Sequence, residues 1–120
     1  MRIFVMLGSF NMLLAVALGA FGAHGLKSRV STEMLAVWQT AVLYHLVHAL
    51  GLLLVGLLAL HLPVRAAGWT LLVGIVLFSG SLYLMVLTGI RPLGMVTPLG
   101  GVAFLAGWLL LALAALKLNG

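Results

Sequence analysis

Two histidines, His45 and His48, stand inside a long apolar stretch, and imidazole has the widest choice of chemistry in this chain. It can ligate a metal, hold a haem, relay a proton or serve as base to a serine. A tetrahedral metal site needs further ligands, yet the chain has no cysteine and its one acid, Glu33, lies outside the apolar stretches. Bis-histidine haem ligation normally draws on two helices, and His24 and His61 fall at the ends of apolar stretches, where they read as interfacial. Ser79 or Ser81 beside a histidine suggests a nucleophile, but nothing acidic orients the ring and no Gly-x-Ser-x-Gly elbow is present. Phosphate cradles and dinucleotide fingerprints are missing too. The expectation is a protein that is not an enzyme, with no cofactor and no bound metal.

The elements that position these residues follow from composition. Of the 120 residues 65% are hydrophobic and 6% charged, against roughly a quarter charged in soluble domains. A chain this small cannot bury so much apolar surface in water, so lipid must cover its outside. The net charge of +5 comes from six scattered cations and one acid, without the Lys/Arg cluster that nucleic acid requires. The expected partners are the lipid bilayer and a second copy or another membrane protein, with no nucleic acid.

Four apolar stretches, at about 3–23, 38–60, 69–87 and 99–116, are each long enough to cross about 30 Å of hydrocarbon, which takes about 20 helical residues. Uninterrupted hydrophobicity speaks for helices, since a membrane β-barrel alternates. Ser31 or Thr32 reads as an N-cap with Glu33 in the first turn, and Thr97-Pro98 as an N-cap followed by proline at the first helical position. Short connections make sequence neighbours antiparallel. The expected fold is all-α: an integral membrane four-helix bundle, up-down-up-down, in a single membrane domain over 1–120. A signal-peptide reading of the first stretch is disfavoured by one Arg ahead of it and by an apolar run longer than about 7–15 residues.

Polar groups inside hydrocarbon must find partners, so they mark the candidate site. With each stretch's midpoint as bilayer centre, Asn11, His48, Ser79, Ser81 and Trp108 lie near mid-depth. Tyr44, His45 and Tyr83 lie in the leaflet nearer the first and third loops, which His24 and Thr97 border. These ten residues are the candidate polar layer and its loop-side rim. Any cavity is expected to open toward His24 and Thr97 rather than beside Arg65. Helical phase places Tyr44, His48 and Gly51 on one stripe and Gly74, Phe78, Ser81 and Met85 on another. His45 shares part of the first stripe. Ala15, Gly19 and Ala23, and likewise Ala103 and Gly107, form small-residue ridges for close helix approach. The economical reading of Asn11, Ser79 and Ser81 is packing through interhelical hydrogen bonds worth around 1 kcal/mol each. His48 reads first as a neutral, satisfied structural histidine and second as a functional one. Trp38 and Trp69 read as interfacial belt residues, whereas Trp108 is too deep for the belt and needs a partner for its N–H.

The runs Gly19-Ala-Phe-Gly-Ala-His24, Tyr44 with His48-Ala-Leu50, Phe78-Ser-Gly-Ser-Leu-Tyr83, and Thr97-Pro-Leu-Gly-Gly101 with Phe104 and Gly107-Trp108 resemble domain-of-unknown-function family 423. The resemblance spans essentially the whole chain. It implies a small four-helix protein of the bacterial inner membrane, related to a eukaryotic transmembrane protein. It implies no catalytic or binding residues. Basic C-terminal tails are usual in the family, represented here by Lys117 alone, and imply cytoplasmic termini. The charges themselves leave orientation undecided: Arg2, Arg65 and Lys117 face Lys27, Arg29 and Arg91. Function is read as a structural or accessory bundle, with a small transporter, channel or ligand-binding module around His48 as the alternative.

Overall fold

The computed structural model describes residues 2–118, and over these the chain is four apolar helices and no strand. The spans run Arg2–Leu26, Thr32–Leu58, Arg65–Thr88 and Arg91–Lys117. At 1.5 Å per residue they are about 36–40 Å long, enough for hydrocarbon and part of the headgroup layers. Each begins ahead of its apolar stretch, and the second ends at Leu58, two residues short of its own, because the boundaries are set by caps and turns rather than by hydrophobicity. The second span starts six residues before its apolar run: Ser31 accepts a hydrogen bond from the Met34 N–H at 3.1 Å, and Glu33 occupies the first turn. The third stops where Gly89 takes a left-handed φ of 74°, a conformation that costs a residue with a Cβ roughly 1–2 kcal/mol. Thr97 does not cap the fourth span's α-helix. Val96 precedes that helix, Thr97 is its first residue, and the Thr97 hydroxyl is drawn to another span.

Two turns are widened to π-helix: Gly22–Leu26 closes the first span, and Ile75–Gly80 interrupts the third at mid-length. Such bulges inside α-helices recur at functional sites and rotate the residues beyond them. Spans adjacent in sequence pack against each other, first on second, second on third, third on fourth; the first and fourth share no comparable interface. The bundle measures 52 × 25 × 21 Å. Its apolar core lies in three parts, one of them Ala41, Leu82 and Met85 between the second and third spans. Another, at the Arg65 end, joins Phe4, Leu52, Val55, Leu71, Ile75 and Phe104; the last, toward the first loop, joins Leu26, Trp38 and Val86. At that same end, Arg91 reaches Glu33 at 3.3 Å across the loops. This exposed pair contributes little.

Trp38 is the largest departure from the sequence reading. It is no belt residue: it is 1% exposed and its indole N–H donates to the Leu18 carbonyl at 2.8 Å. Since the second span begins at Thr32, Trp38 lies well inside it, and the bare backbone of Gly22 leaves the space its ring fills. Trp69 stays 43% exposed near the start of the third span, edge-on to Phe4 at 5.1 Å. The first small-residue ridge is also displaced. Gly8, Asn11, Ala15 and Gly22 make the buried line of the first span, whereas Ala23, on the π turn, is exposed. On the fourth span the buried line is Gly100, Phe104 and Gly107, with Ala103 beside it.

Candidate functional site

Among the core parts lies a set of polar side chains, each spanning two helices. Asn11 donates from Nδ2 to the Leu7 carbonyl at 2.9 Å, which aims its Oδ1 at His45 Nε2, also 2.9 Å away. An amide oxygen only accepts, so His45 Nε2 carries the hydrogen. His45 Nδ1 is then the acceptor, and the Tyr83 hydroxyl donates to it at 2.9 Å. Three spans are thereby tied in one directed chain, Tyr83 to His45 to Asn11 to the Leu7 carbonyl.

His48 is fixed in the opposite tautomer. The Trp108 Nε1–H, a donor only, gives its hydrogen to His48 Nε2 at 3.0 Å, so the His48 proton sits on Nδ1 and goes to the Tyr44 carbonyl at 2.7 Å. The His48 ring lies flat on Phe104, centroids 3.5 Å apart and planes 9° from parallel. This joins the second span to the fourth. The Ser79 hydroxyl donates to the Ala41 carbonyl at 2.8 Å, and Ser81, donating to the Phe78 carbonyl at 3.0 Å, meets Thr97 Oγ1 at 2.6 Å. Among the described residues no buried side-chain nitrogen or oxygen lacks a partner, and no three His, Asp or Glu residues converge on one point.

The candidate layer is therefore a series of separate interhelical clips rather than one continuous stratum. His45 and His48 do not share a face: one turns toward the first and third spans, the other toward the fourth. Both are at most 5% exposed. His45, not His48, is the midpoint of a span running Thr32–Leu58. The two stripes do hold, for Tyr44, His48 and Gly51 meet Phe104 and Trp108, while Gly74, Phe78, Ser81 and Met85 meet Phe104, Gly100, Thr97 and Gly94. His24 stands exposed on the first π turn, apart from the network. Tyr44 is 40% exposed, and its hydroxyl has no hydrogen-bond partner among the described residues. It borders a groove of about 580 Å³ between the second and fourth spans, which runs from Pro98 beside Thr97 down to Trp108 and includes no residue near Arg65. The sequence alone did not show the backbone partners, namely the carbonyls of Leu7, Leu18, Ala41 and Tyr44, nor Gly100.

Four apolar helices clipped together by polar side chains at mid-depth define a four-helix membrane bundle. The chain belongs to the family described as protein of unknown function DUF423, whose model matches residues 18–101. It is 53% identical to the UPF0382 membrane protein YwdK of Bacillus subtilis, over 98% of each chain. It is 48% identical to a UPF0382 membrane protein of Staphylococcus epidermidis and 46% identical to one of Staphylococcus aureus, each over the full length of both chains. No solved structure matches.

Proposed function

We propose that this chain is a non-enzymatic accessory bundle of the bacterial plasma membrane that associates with itself or with another membrane protein. One observation carries the reading: every buried polar side chain among the described residues is spent on a hydrogen bond within the chain. Both imidazoles have both nitrogens engaged, so the groups that would mark an ion or proton pathway act as ties between helices. The alternative, a small transporter, channel or lipid-binding module around His48, draws its support from the groove and the unpartnered Tyr44 hydroxyl. Native mass spectrometry of protein extracted gently from its own membrane separates the two. A complex of fixed stoichiometry, with itself or one membrane protein, is expected; a bare monomer carrying a reproducible lipid or small-molecule adduct overturns the accessory reading in favour of the alternative.

Both termini are assigned to the cytoplasm, following the basic C-terminal tail usual in the family. The chain has no cysteine, so single substitutions report topology cleanly. In intact cells a membrane-impermeant maleimide is expected to label Lys27→Cys and to spare Lys117→Cys until the cells are opened. The reverse pattern would invert the orientation.

A further inference from the structure

The two buried histidines differ in what a second proton would do. His45 Nδ1 faces a hydroxyl, and a hydroxyl can turn from donor to acceptor, so an imidazolium at His45 keeps both of its hydrogen bonds. His48 Nε2 faces an indole N–H, which has no lone pair to offer. A proton added to that nitrogen's lone pair points one N–H at another and destroys the contact. We propose that the His48–Trp108 hydrogen bond is a proton-operated latch: neutral His48 holds the fourth span to the second, and protonated His48 releases Trp108 and widens the groove between them.

The geometry says which side moves. The imidazolium keeps its Nδ1–H bond to the Tyr44 carbonyl, so it stays with its own span. Trp108 loses its one polar partner. Its ring rests on the bare backbone of Gly51, where an added Cβ would lie 3.1 Å from Cη2, so no side chain of Gly51 holds it in place. His48 and Trp108 both line the groove, so parting them opens it.

Among the described residues no other charge competes for control of the latch. On its own span His48 meets Tyr44 as its titratable neighbour, while the third and fourth spans present Phe78, Phe104 and Trp108 along the groove, none of which titrates. His45 is engaged with Asn11 and Tyr83, and the arginines, lysines and Glu33 all lie at the span ends. By linkage, whatever occupies the groove and displaces Trp108 must also promote proton uptake at His48.

The absence of cysteine makes a direct test available. A Val47→Cys/Leu105→Cys variant carries nitroxide labels on the two walls of the groove, both at exposed positions. In liposomes, diluted with unlabelled protein so that only distances within one chain are read, electron–electron resonance follows their separation from about pH 8 to about pH 4, through the range of a free imidazole and below it. Acidification is expected to raise a longer-distance population roughly fivefold, equivalent to about 1 kcal/mol, with the slope of a single proton. His48→Gln keeps an acceptor for Trp108 and does not titrate, so it should hold the short separation throughout. Trp108→Phe should show the longer population already at neutral pH and lose the response. A folded parent protein that ignores pH overturns the latch. So does a response that persists in His48→Gln, or, should that variant not fold, in Trp108→Phe.

Discussion

Gly100→Ala is expected to destabilise the bundle by about 3 kcal/mol, while Gly101→Ala, one residue on, leaves stability unchanged or raises it by at most about 1 kcal/mol. The difference lies in what each new methyl meets. At Gly100 an added Cβ falls 2.3 Å from the Phe78 backbone nitrogen and 2.7 Å from its Cα, and neither atom can swing aside as a side-chain end can. Relief requires the third and fourth spans to separate just where the π turn Ile75–Gly80 brings Phe78 against the fourth helix. Separation would also lift Phe104 from the bare backbone of Gly74 and strain the Ser81–Thr97 contact. At Gly101 no atom lies within 4 Å, so alanine meets open space and gains helix propensity. Detergent-driven unfolding in mixed micelles, followed by circular dichroism, measures both variants against the parent. Equal stabilities for the pair would show that the two helices do not pack backbone to backbone at this point.

What could be read in advance divides along physical lines. Membrane helices are dictated by local composition, since lipid tolerates no unpaired backbone; the four spans and the all-α bundle were therefore visible in the apolar runs. Ser31 was visible because an N-cap acts on its own first turn. The stripe from Gly74 to Met85 was visible because phase on one helix is a local property, and it reaches the fourth span even through the π turn. Trp38 was hidden because its burial depends on a glycine of another span, and its hydrogen bond ends on a backbone carbonyl, which carries no sequence signature. His45 and His48 were placed together because three residues of helix separate their directions by only about 60°. In a bundle this narrow, that angle is enough to send one toward Asn11 and Tyr83 and the other toward Trp108. Thr97 looked like a cap by type and position, and only the third span's Ser81 explains where its hydroxyl goes.

His45→Leu should cost about 2–3 kcal/mol, the largest loss among the polar clips, because it orphans two groups at once. The Asn11 Oδ1 loses its donor and the Tyr83 hydroxyl its acceptor, at a depth where little water can replace either. Tyr83→Phe removes one end of the chain, leaves only His45 Nδ1 without a partner, and should cost about 1 kcal/mol. The order of these costs follows from the directed arrangement: the central residue serves both neighbours, whereas each terminal residue serves one. Asn11→Ala likewise orphans a single group, the His45 Nε2–H. Combining it with His45→Leu removes the mismatch that each single change leaves behind, so the double variant should cost less than the sum by about 1 kcal/mol. The same micellar unfolding assay gives all four values. Strict additivity would mean that Asn11 and His45 do not share a hydrogen bond in the membrane, and that the first span is held to the second by the close approach of Gly8 to the Ala49 and Leu53 backbone and by the Trp38–Leu18 contact instead.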